Sequence, residues 1–235
     1  MPKFAFALPV LPGKDARSVS RLLQARMSEY EESRRRAGVT MERAYEQPTP
    51  MGTFAVGYIE AERDFAQTMG AYLTSGLPID TDLFAALEDV HGFDASQPPP
   101  APEVVADWWD PEVKERRRGV AFTAPLLPGR TEAARAFATE AFVRRRDELT
   151  ASRRALGNNG EVVILNSTPH GDLVCIYLEG HDPVEANRRF AASQLPYDVW
   201  FKQELKSVFP PEIDFNQPVP PVEQIWDWQR APVRA

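Results

Sequence analysis

One cysteine, Cys175, is all the chain has, so no disulfide can form within it. A fold without disulfides suits a reducing compartment, and a cytoplasmic protein is expected. Histidine is also scarce. His91, His170 and His181 are not at metal-ligand spacing, and one cysteine cannot complete such a set, so no metal site is expected. No run of about 18 apolar residues occurs, so no membrane-spanning helix is expected. The start Met1-Pro2-Lys3-Phe4 lacks the charged and apolar regions of a signal peptide. Positive charge is in deficit: 27 basic residues stand against 34 acidic ones, a net charge of −7. That balance argues against a nucleic-acid partner, which needs a net basic surface. The runs Arg34-Arg35-Arg36, Arg116-Arg117-Arg118 and Arg144-Arg145-Arg146 have acidic neighbours and read as solvated helix faces or linker. Nucleotide-binding glycine motifs and the Gly-x-Ser-x-Gly elbow of hydrolases are missing, and Asn158-Asn159-Gly160 reads as a turn.

What the chain does have is a repeat. Thr-Pro-Met-Gly-Thr-Phe-Ala-Val-Gly-Tyr-Ile-Glu at 49–60 returns as Thr-Pro-His-Gly-Asp-Leu-Val-Cys-Ile-Tyr-Leu-Glu at 168–179. Leu11-Pro12-Gly13-Lys14 matches Leu127-Pro128-Gly129-Arg130, and Leu77-Pro78-Ile79-Asp80 matches Leu195-Pro196-Tyr197-Asp198. Gln97-Pro98, Glu103 and Asp107-Trp108 match Gln217-Pro218, Glu223 and Asp227-Trp228. The order is constant, so two units are expected, at 1–110 and 118–235, each of ordinary domain size.

Within a unit, Phe4 to Val10 is a short apolar strand stopped by Leu-Pro-Gly, and Val120 to Leu126 is its copy. Asp15 to Ala37 carries Val19, Leu22, Leu23, Met27 and Tyr30 at helical spacing and ends at Gly38; the copy ends at Gly157. Val39 to Gln47 and Phe54 to Glu60 predict a hairpin, copied at 161–166 and 173–179. Two further helices and a last strand, 103–109 or 223–228, complete the order β-α-β-β-α-α-β, that of a ferredoxin-like unit with helices on one sheet face. Strand alternation then gives two rows. Val174, Ile176 and Leu178 form one. Leu173, Cys175, Tyr177 and Glu179 form the other, matched by Phe54, Val56, Tyr58 and Glu60. Because the second row is also mostly apolar, it is expected to be buried, sheet to sheet, as an intrachain barrel with pseudo-twofold symmetry.

The Leu-Pro-Gly-Lys after strand one, the long helix, the glycine-containing hairpin and the tail strand resemble the dimeric α+β barrel superfamily over nearly the whole chain. Antibiotic-biosynthesis monooxygenase-like and stress-responsive barrel proteins belong to that group. The resemblance implies an α+β barrel, which most members build from two chains; with its repeat, this chain is expected to carry both halves itself, either as a monomer or within a homodimer. Members include cofactor-free oxygenases, isomerases, cyclases, haem enzymes and proteins without activity, so the fold does not choose a function.

Tyr58 with Glu60, and Tyr177 with Glu179, are the best catalytic candidates. Residues two apart share a strand face, a desolvated carboxylate suits acid–base work, and a phenol can orient a substrate oxygen. His170 replaces Met51 in the hairpin turn, and with His181 it makes the second unit the expected working half. Trp108 and Trp228, with Phe54 and Leu173, are candidates to line a pocket for a small apolar or aromatic ligand. Three functions compete. The first is a metal-free enzyme without a cofactor, acting by proton transfer or oxygenation on an aromatic or polyketide-like molecule. The others are a non-catalytic ligand-binding or assembly protein, and a haem-binding barrel.

Overall fold

A computed structural model describes residues 1–231. The first repeat runs β1 (Lys3–Pro9), α1 (Arg17–Ala25), α2 (Met27–Ala37), β2 (Val39–Thr49), β3 (Gly52–Ala61), α3 (Phe65–Leu73), α4 (Pro78–His91) and β4 (Glu103–Trp109). The second runs β5 (Arg118–Pro125), α5 (Thr131–Thr139), a π-helical turn (Glu140–Arg144), α6 (Arg146–Leu156), β6 (Asn158–Thr168), β7 (Gly171–Gly180), α7 (Pro183–Ala192), α8 (Pro196–Leu205) and β8 (Glu223–Gln229).

The two repeats form their elements for the same local reasons. Gly38 and Gly157 end α2 and α6 in the left-handed conformation, at φ 76° and 96°, where a side chain would be strained. Asp64 and Asp182 cap α3 and α7 by accepting from the backbone N–H groups of Gln67 and Glu185. In the hairpin turns Thr49 and Thr168 donate to the carbonyls of Gly52 and Gly171, both at 2.7 Å. The long helix expected over 15–37 is broken at Arg26, and its copy at Arg145, where the backbone leaves helical geometry. Asn158-Asn159-Gly160 is not a turn: it opens β6, with a register shift that marks a bulge.

Both sheets are antiparallel, in the orders β1-β3-β2-β8 and β4-β6-β7-β5. The fold class is α+β, as expected. The last strands, however, are exchanged between repeats: β4, which ends the first, pairs with β6, and β8 pairs with β2. The compact units are accordingly 1–102 with 223–235, and 103–222, where 1–110 and 118–235 were expected. Periodicity identifies a strand but carries no information on which sheet edge receives it.

In each unit the helices cover one sheet face. Phe4, Phe6 and Ile59 pack with Phe65, Met69 and Tyr72 in the first. Val174, Ile176 and Leu165 pack with Leu126, Val208 and Phe209 in the second. The exchanged strands join these cores. Trp226 meets Tyr30 edge to face at 5.1 Å and donates to its hydroxyl at 3.0 Å. Trp108, wholly buried, packs among Ala138, Phe142, Leu149, Tyr197 and Phe201.

Candidate functional site

The row holding Tyr58 and Glu60 lies on the helix-free face of the first sheet. Tyr58 sits opposite Ala5 and Arg43, and Glu60 opposite Lys3 and Met41. Tyr58 donates to Glu60 Oε1 at 2.7 Å, and both side chains are buried. Arg43, Tyr45 and Gln47 follow at alternate positions of β2 and are buried as well. Arg43 donates to Asp227 at 3.0 Å, so the exchanged strand β8 supplies an acid to this face.

The second unit repeats the pair on different surroundings. Tyr177 donates to Glu179 Oε2 at 2.8 Å. Opposite these residues stand Ala121, Gly119, Val162 and Gly160, with Ile164 opposite Cys175. Where the first sheet has Arg43 and Tyr45, the second has Val162 and Ile164. Arg116 Nε lies 3.0 Å from both oxygens of Glu179 and Nη2 lies 2.6 Å from Oε2, while the Arg117 backbone N–H donates at 2.9 Å. Burial pushes the Cys175 thiol up to about 12, against a weaker opposing bond to Thr123, which leaves it protonated at neutral pH and a poor nucleophile.

Phe54 and Leu173 lie half-buried on the two tyrosine rows. Trp108 and Trp228 do not join them. Successive strand residues point to opposite faces, and Asp107 and Asp227 take the helix-free side. Trp108 therefore turns into the helix-side core, donating to Thr150 at 3.0 Å, and Trp228 packs against Tyr30 there. The tryptophan of the helix-free face is Trp109, which lies against Gly160 and under the Arg116 guanidinium at 4.5 Å. The histidines do not converge on the pairs. His170 is exposed in the hairpin turn, at the far end of β7 from Glu179, and His181 is exposed just beyond that strand. His91 is buried with Nδ1 2.9 Å from the Pro9 carbonyl oxygen. Among the described residues no group of three or more His, Cys, Asp or Glu is placed to hold a metal ion, and no helix is long and apolar enough to cross a membrane.

A second polar cluster, on the helix side, also repeats. Arg34 donates to Glu42 at 2.6 Å and lies 3.6 Å from Asp80, which accepts from Ser33. Arg153 donates to Glu161 at 2.5 Å and lies 3.4 Å from Asp198, which accepts from Ser152. Both arginines are almost fully buried, so the reading of Arg34 as part of a solvated face is corrected. Burial works to lower the Arg34 pKa, but Glu42, Tyr72 and Tyr30 outweigh it, and the guanidinium stays charged. The signal was in the sequence: Ser-Arg-Arg at 33–35 and 152–154, a Glu eight residues after the buried Arg, and the Asp of each Leu-Pro-x-Asp.

No family model matches the chain, and no curated protein matches it. Solved structures do. An anthrone oxidase-like protein is similar over 94% of this chain and 89% of its own, at 11% identity and a TM-score of 0.52. A candidate monooxygenase of Fusobacterium nucleatum subsp. nucleatum is 10% identical, covering 97% of both chains at a TM-score of 0.49. One of Lactobacillus acidophilus is 10% identical, covering 96% of this chain and 92% of its own, at 0.48. At such identities the likeness concerns the fold.

Proposed function

We propose that this chain is an enzyme that abstracts a proton from a small, flat, largely apolar molecule, with oxygenation as the outcome, and that Tyr58 and Glu60 do the work. The observation that carries the reading is the buried Tyr58–Glu60 hydrogen bond on a face that also holds Arg43, Tyr45 and Gln47. A phenol hydrogen-bonded to a carboxylate can relay a proton through its oxygen. As that proton arrives, the phenol passes its own to Glu60, and a site out of water strengthens each electrostatic contact. A carbanion next to an aromatic ketone can then react with molecular oxygen. A CH2 group becomes C=O, one oxygen atom enters the product, and the other leaves as water with both hydrogens. The name of the anthrone oxidase-like protein supports this substrate class.

The surroundings favour the first unit over the second, where the histidines had pointed: Arg43 and Tyr45 line the first face where the second has Val162 and Ile164. Glu179 accepts from Arg116, Arg117 and Tyr177. Such bonding favours a second reading, a non-catalytic ligand-binding protein in which both pairs only order the sheet. Oxygen uptake with anthrone-type substrates separates the two. Tyr58→Phe and Glu60→Gln should each lower kcat by about 10²–10⁴-fold. Tyr177→Phe and Glu179→Gln should act mainly on stability. Equal, small rate effects of all four substitutions would discard the catalytic assignment.

A further inference from the structure

Strand pairing sets two matched rows across the helix-free faces. In the first sheet Ala5, Tyr58, Arg43 and Asp227 stand side by side on β1, β3, β2 and β8. In the second the row is Ala121, Tyr177, Val162 and Asp107, on β5, β7, β6 and β4. Alanine, tyrosine and aspartate recur, and each aspartate arrives on an exchanged strand, from the Asp-Trp matched in the repeat. The rows differ in the third place, where the first has an arginine and the second a valine.

That difference decides what each aspartate does. Asp227 Oδ1 accepts from Arg43 Nε at 3.0 Å, and the Arg43 side chain is 6% exposed against 50% for Asp227. Asp107 Oδ1 accepts instead from the Trp109 indole at 2.6 Å. Residues directly opposite on paired strands are immediate neighbours on one face, so Arg43 lies between Tyr58 and Asp227. A bond to Nε fixes the plane of a guanidinium that would otherwise sample many rotamers. Asp227 also adds charge. On this face of the sheet the charged groups around the Tyr58–Glu60 pair are Lys3 on β1, opposite Glu60, Arg43 on β2 and Asp227 on β8; Tyr45 on β2 is the other titratable group. The cations favour the ionised base, and Asp227, two strand spacings or about 10 Å from Tyr58, opposes it.

We infer that Asp227 is a positioning residue for the proton transfer proposed above, on which this inference rests. It holds the Arg43 guanidinium beside Tyr58 and tempers its charge, whereas Asp107, with valine for a neighbour, does neither. Asparagine separates the two effects, because its side-chain carbonyl still accepts from Arg43 Nε while the charge is gone. Oxygen uptake by the whole chain with an anthrone-type ketone is followed against pH. Asp227→Asn should move the acid limb of kcat/KM to lower pH by about 0.5–1 unit and keep most of the plateau kcat. Asp227→Ala should show the same displacement and lower the plateau kcat by about tenfold or more, since the guanidinium loses its anchor. Asp107→Asn should change neither. A parent chain that takes up no oxygen would overturn the proposed reaction and this inference together. An active parent whose profile is unmoved by Asp227→Asn, or moves equally with Asp107→Asn, would overturn the inference alone, as would an Asp227→Ala plateau equal to the parent's. Should the alanine variant fail to fold, the two asparagine variants decide.

Discussion

Arg116 reaches both oxygens of Glu179, and the carboxylate is fully buried while a quarter of the arginine side chain remains exposed. Removing the guanidinium takes the paired charge away from a buried carboxylate that Tyr177 and the Arg117 backbone N–H also bond. Arg116→Ala should cost about 2–4 kcal/mol, somewhat less than a wholly buried pair because water can approach from the arginine side. Adding Glu179→Gln should recover part of that loss, since the double variant no longer buries the unpaired charge. Urea unfolding measures both. A loss below about 0.5 kcal/mol for Arg116→Ala would show that the pair is not what holds Glu179.

His91 makes the first unit sensitive to acid. Burial lowers its pKa below the usual value near 6.5, outweighing the Pro9 carbonyl that favours the protonated ring. As pH falls through 6.5 the unfolded chain takes up a proton there and the folded chain does not. The stability is thus full above that pH and is lost as pH falls toward the depressed folded value. Phe209 stands in the corresponding place of the second unit, where Leu127 donates to Val208 as Leu11 does to Val90. His91→Phe should therefore flatten the stability curve between pH 7 and pH 5, in the difference between variant and parent. A difference that does not change with pH would remove His91 from the acid response.

Much of this was legible from the repeat. The element order, the two rows of each hairpin and the Tyr–Glu pairing follow from alternation and from matched residues, because local pattern decides which side chains share a face. Three things were not. The edge that receives β4 or β8 depends on tertiary pairing. Trp108 and Trp228 needed their facing fixed by Asp107 and Asp227 before they could be placed. Arg34 looked solvated because its neighbours Arg35 and Arg36 are, and only the three-dimensional meeting with Asp80, 46 residues away, shows it buried.

Two glycines at one end of the second sheet should differ in tolerance. A Cβ on Gly180 would meet the Gly157 carbonyl oxygen at 2.5 Å and Asn158 Cα at 3.2 Å, both backbone. A Cβ on Gly160 would strike the Trp109 ring at 2.5–2.9 Å, and that half-buried side chain can swing. Gly180→Ala should cost about 1–3 kcal/mol, as overpacking does. Gly160→Ala should cost less, while shifting Trp109 fluorescence by moving the ring off Arg116. Chemical denaturation followed by emission measures both quantities, and the reverse ranking would contradict this packing.

The exchange of β4 and β8 changes which half of the chain is a folding unit. A polypeptide cut at the repeat boundary, 118–235, lacks β4, so β6 loses its partner from Glu103 to Trp109 and the core loses Trp108. It carries β8 instead, whose ladder partner β2 is absent from it. The polypeptide 103–222 contains all four strands of the second sheet and the helices that cover them. Deleting a buried tryptophan alone costs about 3–5 kcal/mol, comparable with the whole stability of a small domain. Hydrogen exchange should therefore find the β6 amides protected in 103–222 and open in 118–235. Adding residues 103–109 to the N-terminus of 118–235 through the native 110–117 segment should restore that protection, because those residues return both the ladder partner and Trp108. Equal protection of β6 in the two fragments would mean that β8 can replace β4 at that edge, and the exchange would then not be required for folding.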